Sequence, residues 1–170
     1  MKILVTGGAG FIGSHLVEEL LSNENEILIF DNCLTGKKEN LDIKGNFKFI
    51  NDDFGSENSL EEIERFNPDI CFHLAAQSSV VVSVENPALD FEHNILQPIK
   101  LIQVLLKSNC KKFVFTSSGG TIFGEPTTIP TAEEDYADEP ESPYGVAKKR
   151  LNELIKIMTK SSNLKYSILN

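Results

Sequence analysis

The sequence of 170 residues lacks several features that would each point to a particular environment or partner. No run approaches the roughly 18 consecutive apolar residues that a membrane-spanning helix needs. The N-terminal stretch MKILVTGGAG has no long apolar region followed by a small-residue cleavage site. We therefore expect no membrane span and no signal peptide, with the cytoplasm as the default location. Basic residues are in the minority, and the net charge of −9 repels phosphate backbones, so nucleic acid is not an expected partner.

Cysteine and histidine are too few and too widely spaced to indicate a metal site. Cys33, Cys71 and Cys110 are odd in number and form no Cys-x-x-Cys pair, which argues against a disulfide framework and a thiolate zinc site. We expect them to be buried or half-buried thiols. The three histidines show no metal-ligand spacing. His73, at the end of a predicted strand, is expected to be packed or hydrogen-bonded.

Short apolar segments alternate with helical patterns along the whole chain, which suits one globular domain. The apolar segments lack strict polar alternation, as strands buried on both faces do. Strands that alternate with helices predict an α/β fold: a doubly wound parallel sheet, or Rossmann fold, with strand order 3-2-1-4-5-6. The predicted strands are Lys2–Thr6, Glu26–Phe30, Phe47–Ile50, Asp69–His73, Lys112–Thr116 and Lys165–Leu169. The predicted helices are Phe11–Leu21, Ser59–Phe66, Pro87–Lys107 and Pro143–Met158.

Capping and breaking residues set the expected helix ends. Ser59, with Glu62 three residues on, predicts the start of the second helix, and Asn67-Pro68 predicts its end. Pro98 is expected to bend the third helix. The acidic stretch Glu133–Glu141 is expected to be a solvated loop, with closure over a ligand as the alternative.

A glycine-rich turn joins the first predicted strand to the first predicted helix. In GGAGFIG, Gly7, Gly10 and Gly13 fit G-x-x-G-x-x-G, while Gly8, Gly10 and Gly13 also fit G-x-G-x-x-G. Glycine permits the tight turn and the close approach of a pyrophosphate, which the helix N-terminus attracts through its free N–H groups and dipole. A strand before the motif and a helix after it predict a dinucleotide site.

An acid after the second predicted strand narrows the choice of dinucleotide. Asp31 stands where a carboxylate accepts hydrogen bonds from the ribose hydroxyls of an adenosine, and Asn32 could share that contact. A carboxylate there also repels a 2′-phosphate. The sequence therefore favours NAD over NADP.

Tyr144 and Lys148 lie one helical turn apart at the start of the last predicted helix. A free tyrosine has a pKa near 10, so only about a thousandth is phenolate at pH 7. A pKa of about 7 would require roughly 4 kcal/mol of differential stabilisation. A nearby ammonium and an oxidised nicotinamide would both supply positive charge. Beside NAD, the pair is therefore expected to take a proton from a hydroxyl while a hydride leaves the carbon.

Five motifs together resemble the extended short-chain dehydrogenase/reductase family, and within it the nucleotide-sugar epimerases of the UDP-glucose 4-epimerase type. They are TGGAGFIG, DN at 31–32, HLAAQSSV at 73–80, TSSGGTIFG at 116–124 and SPYGVAKK at 142–149. The match covers essentially all 170 residues in order. The combination is specific for the superfamily and much less so for the substrate.

The resemblance implies roles for individual residues. Tyr144 would be the base, while Lys148 would hold the nicotinamide ribose and lower the tyrosine pKa. Asp52, with Asp53 beside it, matches the acid that reads the adenine amino group, and Asn94 matches an asparagine near the cofactor. The other residues that the resemblance places at the cofactor are Gly7, Gly10, Phe11, Ile12, Gly13, Asp31, Asn32, Thr35, Gly36, Leu74, Ala75, Ala76, Gln77 and Ser117.

Two positions depart from the family pattern. Gly119 stands where the family places a catalytic Ser or Thr, so Ser118 or Thr121 is expected to substitute, and we take Ser118 as the candidate. Gly120 and Thr121 replace the Asp-Glu pair of the dehydratase branch. No acid is left there to protonate a leaving hydroxyl, which argues against 4,6-dehydration.

The resemblance leaves two functions open. The first is NAD-dependent epimerisation of a nucleotide-activated sugar, a UDP-hexose by resemblance. The second is an NAD-binding module without catalytic activity. Residues 1–170 would be the NAD-binding domain, and the sugar-nucleotide domain that follows it in the family is expected to be absent from this chain. The resemblance also implies a homodimer through the helices around 87–107 and 144–158.

Overall fold

The computed structural model describes residues 1–125, 130 and 139–170, and these residues form strands and helices in alternation. The acidic segment 133–141, predicted as a solvated loop, lies largely outside the described residues. A 3₁₀-helix at Lys38–Leu41 and a π-helical turn at Glu92–Leu96 accompany the regular elements. The strands are β1 (Lys2–Thr6), β2 (Glu26–Phe30), β3 (Phe47–Ile50), β4 (Ile70–His73), β5 (Lys112–Thr116) and β6 (Lys165–Leu169). The helices are α1 (Phe11–Leu21), α2 (Glu57–Phe66), α3 (Val80–Glu85), α4 (Pro87–Phe91), α5 (Gln97–Lys107) and α6 (Pro143–Thr159).

The strands form one parallel sheet in the order β3-β2-β1-β4-β5-β6. The predicted doubly wound order is therefore confirmed. Val5 of β1 pairs with Ile29 of β2 on one side and with Phe72 of β4 on the other. The strand order reverses between β1 and β4. Doubly wound folds bind ligands in the crevice outside the carboxyl ends of the strands at this point.

Both faces of the sheet are buried, as the apolar strands predict. On β1, Ile3 and Val5 face a cluster that contains Val17 of α1, whereas Leu4 faces a second cluster containing Ile63 of α2. All five side chains are at most 1% exposed. This division follows from the period-two alternation of a strand. It places α1 on one side of the sheet and α2, α5 and α6 on the other.

The start of α2 differs from the prediction. Its N-cap is Ser56, whose Oγ accepts a hydrogen bond from the backbone N–H of Ser59 at 3.1 Å, so Ser59 as the cap was wrong. The Ser59 hydroxyl is already inside the helix and donates to Asp52 at 3.0 Å. The predicted end is confirmed, since Asn67 adopts the left-handed conformation with φ 51°.

The predicted long helix 87–107 is divided by the π-helical turn into α4 and α5. Pro98 lies in the first turn of α5, where its missing N–H is tolerated, and the wider turn comes just before it. Helix α3 was not predicted, because the run VVVSV is rich in β-branched residues that favour strands. Ser79 stabilises this helix by accepting a hydrogen bond from the Val82 N–H at 3.2 Å.

No helix among the described residues is both long and apolar enough to cross a membrane. The three cysteines are free thiols, Cys71 and Cys110 buried and Cys33 half-buried, as expected.

His73 is a core residue, as the sequence suggested. Its Nδ1 lies 2.7 Å from the Thr6 hydroxyl, and its ring packs edge-on against Phe54 and stacks with Phe113 and Phe115. The side chain is 1% exposed. Burial, with a smaller contribution from the charge of Lys148, lowers the pKa of His73 to about 3.

This burial predicts that stability falls on acidification. The unfolded chain binds a proton at His73 near pH 6.5, whereas the folded chain resists it down to about pH 3. The contribution of the neutral His73 to the free energy of unfolding is therefore fully present above pH 6.5 and is lost progressively below it. From pH 7 to pH 5, we expect His73 to account for a loss of about 2 kcal/mol. Urea denaturation of the wild type and His73→Gln at both pH values measures this difference.

The exposed His15 supplies the matched control. His15→Gln should keep the pH dependence of the wild type. A pH dependence that is equally steep in His73→Gln contradicts the prediction.

Candidate functional site

A cavity of about 610 Å³ opens at the carboxyl ends of β1, β2 and β4. It lies at the reversal of strand order, where the fold predicts a ligand site. The cavity brings together most of the residues predicted to bind a cofactor. Those in its lining are Gly7, Gly10, Phe11, Ile12, Gly13, Asp31, Asn32, Thr35, Asp52, Asp53, Leu74, Ala75, Ala76 and Gln77.

The glycine-rich turn forms one wall of this cavity. Gly7 has φ 75°, which an L side chain rarely adopts, and a Cβ on Gly13 would overlap the Gly7 carbonyl oxygen. The backbone of α1 is therefore pressed against the end of β1. Gly8, in contrast, packs against Ile29 and does not line the cavity. The spacing Gly7, Gly10, Gly13 is thus the one that faces the cavity.

The N-terminus of α1 also faces the cavity, through Phe11, Ile12 and Gly13. Gly10 is the N-cap, and having no side chain it leaves the first-turn N–H groups uncapped. Such groups, with the positive end of the helix dipole, bind phosphate. No acidic residue lies in this turn to oppose an anion.

Asp31 is held rigidly at the end of β2. One carboxylate oxygen accepts the Ala9 N–H at 2.9 Å and the other accepts the Cys33 N–H at 2.9 Å. An ionised carboxylate has about four acceptor positions, so two remain for a ligand in the cavity. The backbone of Cys33 is left-handed, with φ 56°, which turns its N–H back towards Asp31.

Asp52 and Asp53 lie at the start of the loop after β3. Asp52 accepts hydrogen bonds from the Asp53 N–H and from the hydroxyls of Ser56 and Ser59. The Ser56 hydroxyl, foremost among these, lowers the pKa of Asp52. Asp53 accepts from the Asn32 side chain at 2.7 Å. The Asn32 side chain thus links the ends of β2 and β3 along the cavity.

Besides Tyr144 and Lys148, three predicted cofactor residues lie outside the lining. Gly36 packs against the Ala9 backbone, where a Cβ would come within 2.9 Å of the carbonyl carbon. Asn94 donates to the Gln77 carbonyl at 2.8 Å and accepts from the Gln77 N–H at 3.1 Å, which fixes a lining residue from behind. The Ser117 hydroxyl is buried without a partner among the described residues.

Tyr144 and Lys148 are brought together on α6, as predicted. Ser142 caps this helix by accepting from the Gly145 N–H at 3.1 Å. The Lys148 Nζ lies 5.8 Å from the Tyr144 ring centroid and donates to the carbonyl of Thr116, a cavity residue, at 3.0 Å. Both side chains are buried, at 8% and 3% exposure. The pair therefore adjoins the cavity at the end of β5.

The electrostatics of the pair differ from the sequence-based expectation. Burial raises the pKa of Tyr144, and the negative charge of Asp90 adds to this, while a hydrogen bond with Ser118 opposes it. The predicted lowering by Lys148 is therefore not found, because burial outweighs it and the ammonium points to Thr116. Burial also lowers the pKa of Lys148 to about 8, and Asp90 opposes that change. Lys148 is mainly protonated at neutral pH.

Ser118 is the hydroxyl that reaches the tyrosine. It is hydrogen-bonded to Tyr144 and accepts a hydrogen bond from the Thr121 hydroxyl at 2.8 Å. A Cβ on Gly145 would overlap the Thr121 carbonyl oxygen, so this glycine lets the loop approach α6 closely. The two hydroxyls that the sequence offered in place of Gly119 thus form one chain directed at the phenol.

Several lining residues were not predicted from the sequence. Leu34 is adjacent to the predicted ribose residues, and its 79% exposure fits an apolar contact for a ligand. Others come from α3, which was not predicted, and from α4 and the π-helical turn, which lie within the predicted helix 87–107. The unpredicted lining residues are Phe30, Leu34, Phe54, Ser78, Ser79, Val82, Leu89, His93 and Thr116. No group of three potential ligands for a metal ion occurs among the described residues.

The comparison with known proteins agrees with this site. The model of the NAD dependent epimerase/dehydratase family matches residues 3–170. The chain belongs to this family. A putative UDP-glucose 4-epimerase of Methanocaldococcus jannaschii is 41% identical over 167 residues, which are 98% of this chain and 54% of that protein.

Two solved structures share the fold. The UDP-glucose 4-epimerase of Thermotoga maritima, crystallised with UDP-glucose, superposes with a TM-score of 0.91 at 40% identity. The Thermus thermophilus enzyme in complex with NAD gives a TM-score of 0.89 at 40% identity. Each comparison covers 99% of this chain and 54% of the other. The chain thus spans about half the length of the relatives it matches.

The cofactor of this family is NAD, and the cavity residues fit it. A side chain at Gly13 would overlap the Gly7 carbonyl, so this glycine lets α1 pack closely on the end of β1 and present its N-terminus to a pyrophosphate. Asp31 retains two free acceptor positions, which matches the two hydroxyls of an adenosine ribose and not a 2′-phosphate. The uncapped α1 terminus supplies the donors for the phosphates.

Proposed function

We propose that residues 1–170 form the NAD-binding domain of an enzyme that epimerises a nucleotide-activated sugar, a UDP-hexose. The observation that carries this proposal is the cluster of Tyr144, Lys148 and Ser118 beside a cavity built for a dinucleotide. A binding site for NAD alone would not need a buried phenol and ammonium at its edge. The UDP-sugar enzymes among the relatives support the substrate class.

The chain's own residues would hold NAD along the cavity. The α1 N-terminus, beyond Gly10, binds the pyrophosphate, and Asp31 accepts the adenosine ribose hydroxyls. Asp52 has one acceptor position left, since three hydrogen bonds already occupy the others, and this position receives the adenine amino group. Lys148, whose ammonium binds the carbonyl of the cavity residue Thr116, would hold the nicotinamide ribose.

The reacting group is the sugar hydroxyl. A bound NAD would supply the hydride acceptor for oxidation of the sugar carbon and the hydride donor for its reduction from the opposite face, which inverts that carbon. Tyr144 accepts the hydroxyl proton and later gives it back. Ser118 is hydrogen-bonded to the phenol and favours its ionised form, against the effect of burial. Gly120 and Thr121 leave no carboxyl group for a dehydration step.

The second candidate is an NAD-binding module without turnover. Two observations favour it for the 170-residue chain. Gly119 carries no hydroxyl at the family position, and burial holds the pKa of Tyr144 above its ordinary value. At neutral pH the phenol therefore stays protonated, which disfavours proton abstraction.

NAD binding is the first prediction from this proposal. The wild type should bind NAD and discriminate against NADP, because Asp31 repels a 2′-phosphate. Asp31→Asn should bind NAD about ten- to hundredfold more weakly, since hydrogen bonds to a charged group contribute about 1.5–3 kcal/mol. Calorimetric titration measures both values. Asp42→Asn, an exposed acid outside the cavity, is the control and should bind like the wild type. Equal affinity of wild type and Asp31→Asn would refute the assignment of the ribose site.

Turnover separates the two candidate functions. For the 170-residue chain supplied with NAD and UDP-glucose, we expect NAD binding but no measurable UDP-galactose, because these residues span about half the length of the epimerases they match and Gly119 carries no hydroxyl at the family position. Chromatography of the nucleotide sugars after prolonged incubation measures this. Product that appears in the wild type and not in Tyr144→Phe would show that this chain alone carries out the reaction, and would exclude the binding module.

We also propose that two copies of the chain associate through the helices that pack around α6. Helices α3, α4 and α6 pack against one another, yet Val81, Val84, Leu96 and Ile157 are 49–69% exposed. Exposed apolar side chains on packed helices favour association.

Sedimentation equilibrium should show a dimer of the 18.9 kDa chain, and Val84→Asp with Ile157→Lys should shift it towards the monomer. The exposed Leu169 on β6 provides a control, since Leu169→Lys should leave the dimer intact. A monomeric wild type contradicts the proposal.

A further inference from the structure

A carboxylate buried beside the Tyr144/Lys148 pair has no part in holding the cofactor. Asp90, on α4, is 0% exposed. Its Oδ1 accepts from the Gln77 side chain at 2.7 Å and from the Asn94 side chain at 2.9 Å. Its Oδ2 is also buried and has no hydrogen-bond partner among the described residues. A buried oxygen of this kind is rare, since its desolvation is not offset by a hydrogen bond.

The bonded oxygen of Asp90 organises a cavity residue. Gln77 lines the cavity, and its side chain donates to both Asp90 and the Ser79 carbonyl. Asn94, in the π-helical turn, binds the backbone of Gln77 at both its N–H and its carbonyl. The side chain and backbone of Gln77 are therefore both fixed from behind, by α4 and by the π-helical turn. Such turns interrupt helices most often at functional sites.

The same carboxylate acts on the reactive pair across a helix contact. Helix α4 and the π-helical turn both pack against α6. Burial raises the pKa of Asp90 itself, and its hydrogen bonds with Gln77 and Asn94 and the charges of Lys148 and His93 oppose this change. In turn, the charge of Asp90 favours the protonated forms of Lys148 and Tyr144. The charge of the Lys148 ammonium also lowers the pKa of His73 on β4, after the larger effect of burial. The charged and titratable groups around Asp90 are thus Lys148, Tyr144 and His93, with His73 beyond Lys148.

We propose that Asp90 is a positioning residue of the site: its buried negative charge keeps Lys148 in the ammonium form, and its hydrogen bonds hold Gln77 at the cavity wall. The assignment rests on the proposed function, in which Lys148 and Tyr144 are the reactive pair. A lysine that is 3% exposed loses most of its hydration, so without a counter-charge it would favour the neutral amine. The hydrogen-bond donors of Gln77 and Asn94 leave Oδ2 free to exert this charge.

Asp90→Asn tests the charge, because it keeps the shape and the acceptor oxygen for Gln77 and Asn94. The readout is the pKa of Lys148 in the 170-residue chain, from an NMR titration of ¹³Cε-labelled lysine assigned with Lys148→Arg. If Asp90 acts through its charge, the pKa of Lys148 falls below the wild-type value of about 8. If Asp90 only holds the helices together, the loosened site hydrates Lys148 and its pKa rises towards 10.5. A rise, or no change, overturns the proposal.

A matched control and a reciprocal variant complete the test. Glu92→Gln removes a carboxylate two residues away that lies 3.8 Å from Lys100, and it should leave Lys148 unchanged. Lys148→Met should raise the pKa of the Asp90 carboxyl, measured with ¹³C-labelled aspartate, because coupling between two sites is reciprocal. If Asp90→Asn does not fold, Lys148→Met decides the question. A pKa of the Asp90 carboxyl that is unchanged in Lys148→Met overturns the proposal.

These measurements need no cofactor, so they are independent of the calorimetric titration. If NAD does not bind but the pKa values of Asp90 and Lys148 are coupled, the proposed function is refuted and the coupling between Asp90 and Lys148 is confirmed. If NAD binds but the coupling is absent, Asp90 fails as a positioning residue and the cofactor site is unaffected.

Discussion

The close contact between α1 and the end of β1 is the constraint on which the site depends. Gly13 lies so near the Gly7 carbonyl that no side chain can come between them. The contact directs the N-terminus of α1 at the carboxyl end of the sheet, where the strand order reverses between β1 and β4. The uncapped N–H groups and the carboxylate of Asp31 therefore line the same cavity. A larger residue at Gly13 would move the helix away and change all three together.

The two ends of the cavity differ in their electrostatic environment. At the Asp31 end, the carboxylates accept hydrogen bonds from backbone N–H groups and serine hydroxyls, which stabilise the charged form. At the α6 end, Lys148 and Tyr144 are buried beside Phe115, and burial works against charge on both. The first end is therefore suited to binding through fixed charges. The second end holds titratable groups whose pKa values are shifted by burial, which is typical of functional sites.

Local sequence patterns were sufficient to predict the sheet and the glycine-rich turn. The six strands were predicted nearly residue for residue, because short apolar runs between helical patterns indicate strands buried on both faces. Asp31 and the Tyr144/Lys148 pair followed from short spacings in the sequence. Helix α3 did not, because the preference of a valine-rich run for strands is overcome by the Ser79 cap and by packing on α6. The π-helical turn and the burial of Asp90 likewise depend on contacts between elements distant in sequence.

The pKa of Tyr144 could not be predicted from the spacing of Tyr144 and Lys148 in the sequence alone. A lysine one turn away was expected to lower the tyrosine pKa, and in a solvated helix its charge would be the main influence. Here the phenol is buried, the ammonium is directed to the Thr116 carbonyl, and Asp90 lies on the same side. Burial and Asp90 together outweigh the hydrogen bond from Ser118. In the proposed function, Tyr144 would therefore keep its proton until a further positive charge reached the end of β5, which would couple proton removal to occupancy of the cavity by an oxidised, positively charged ring.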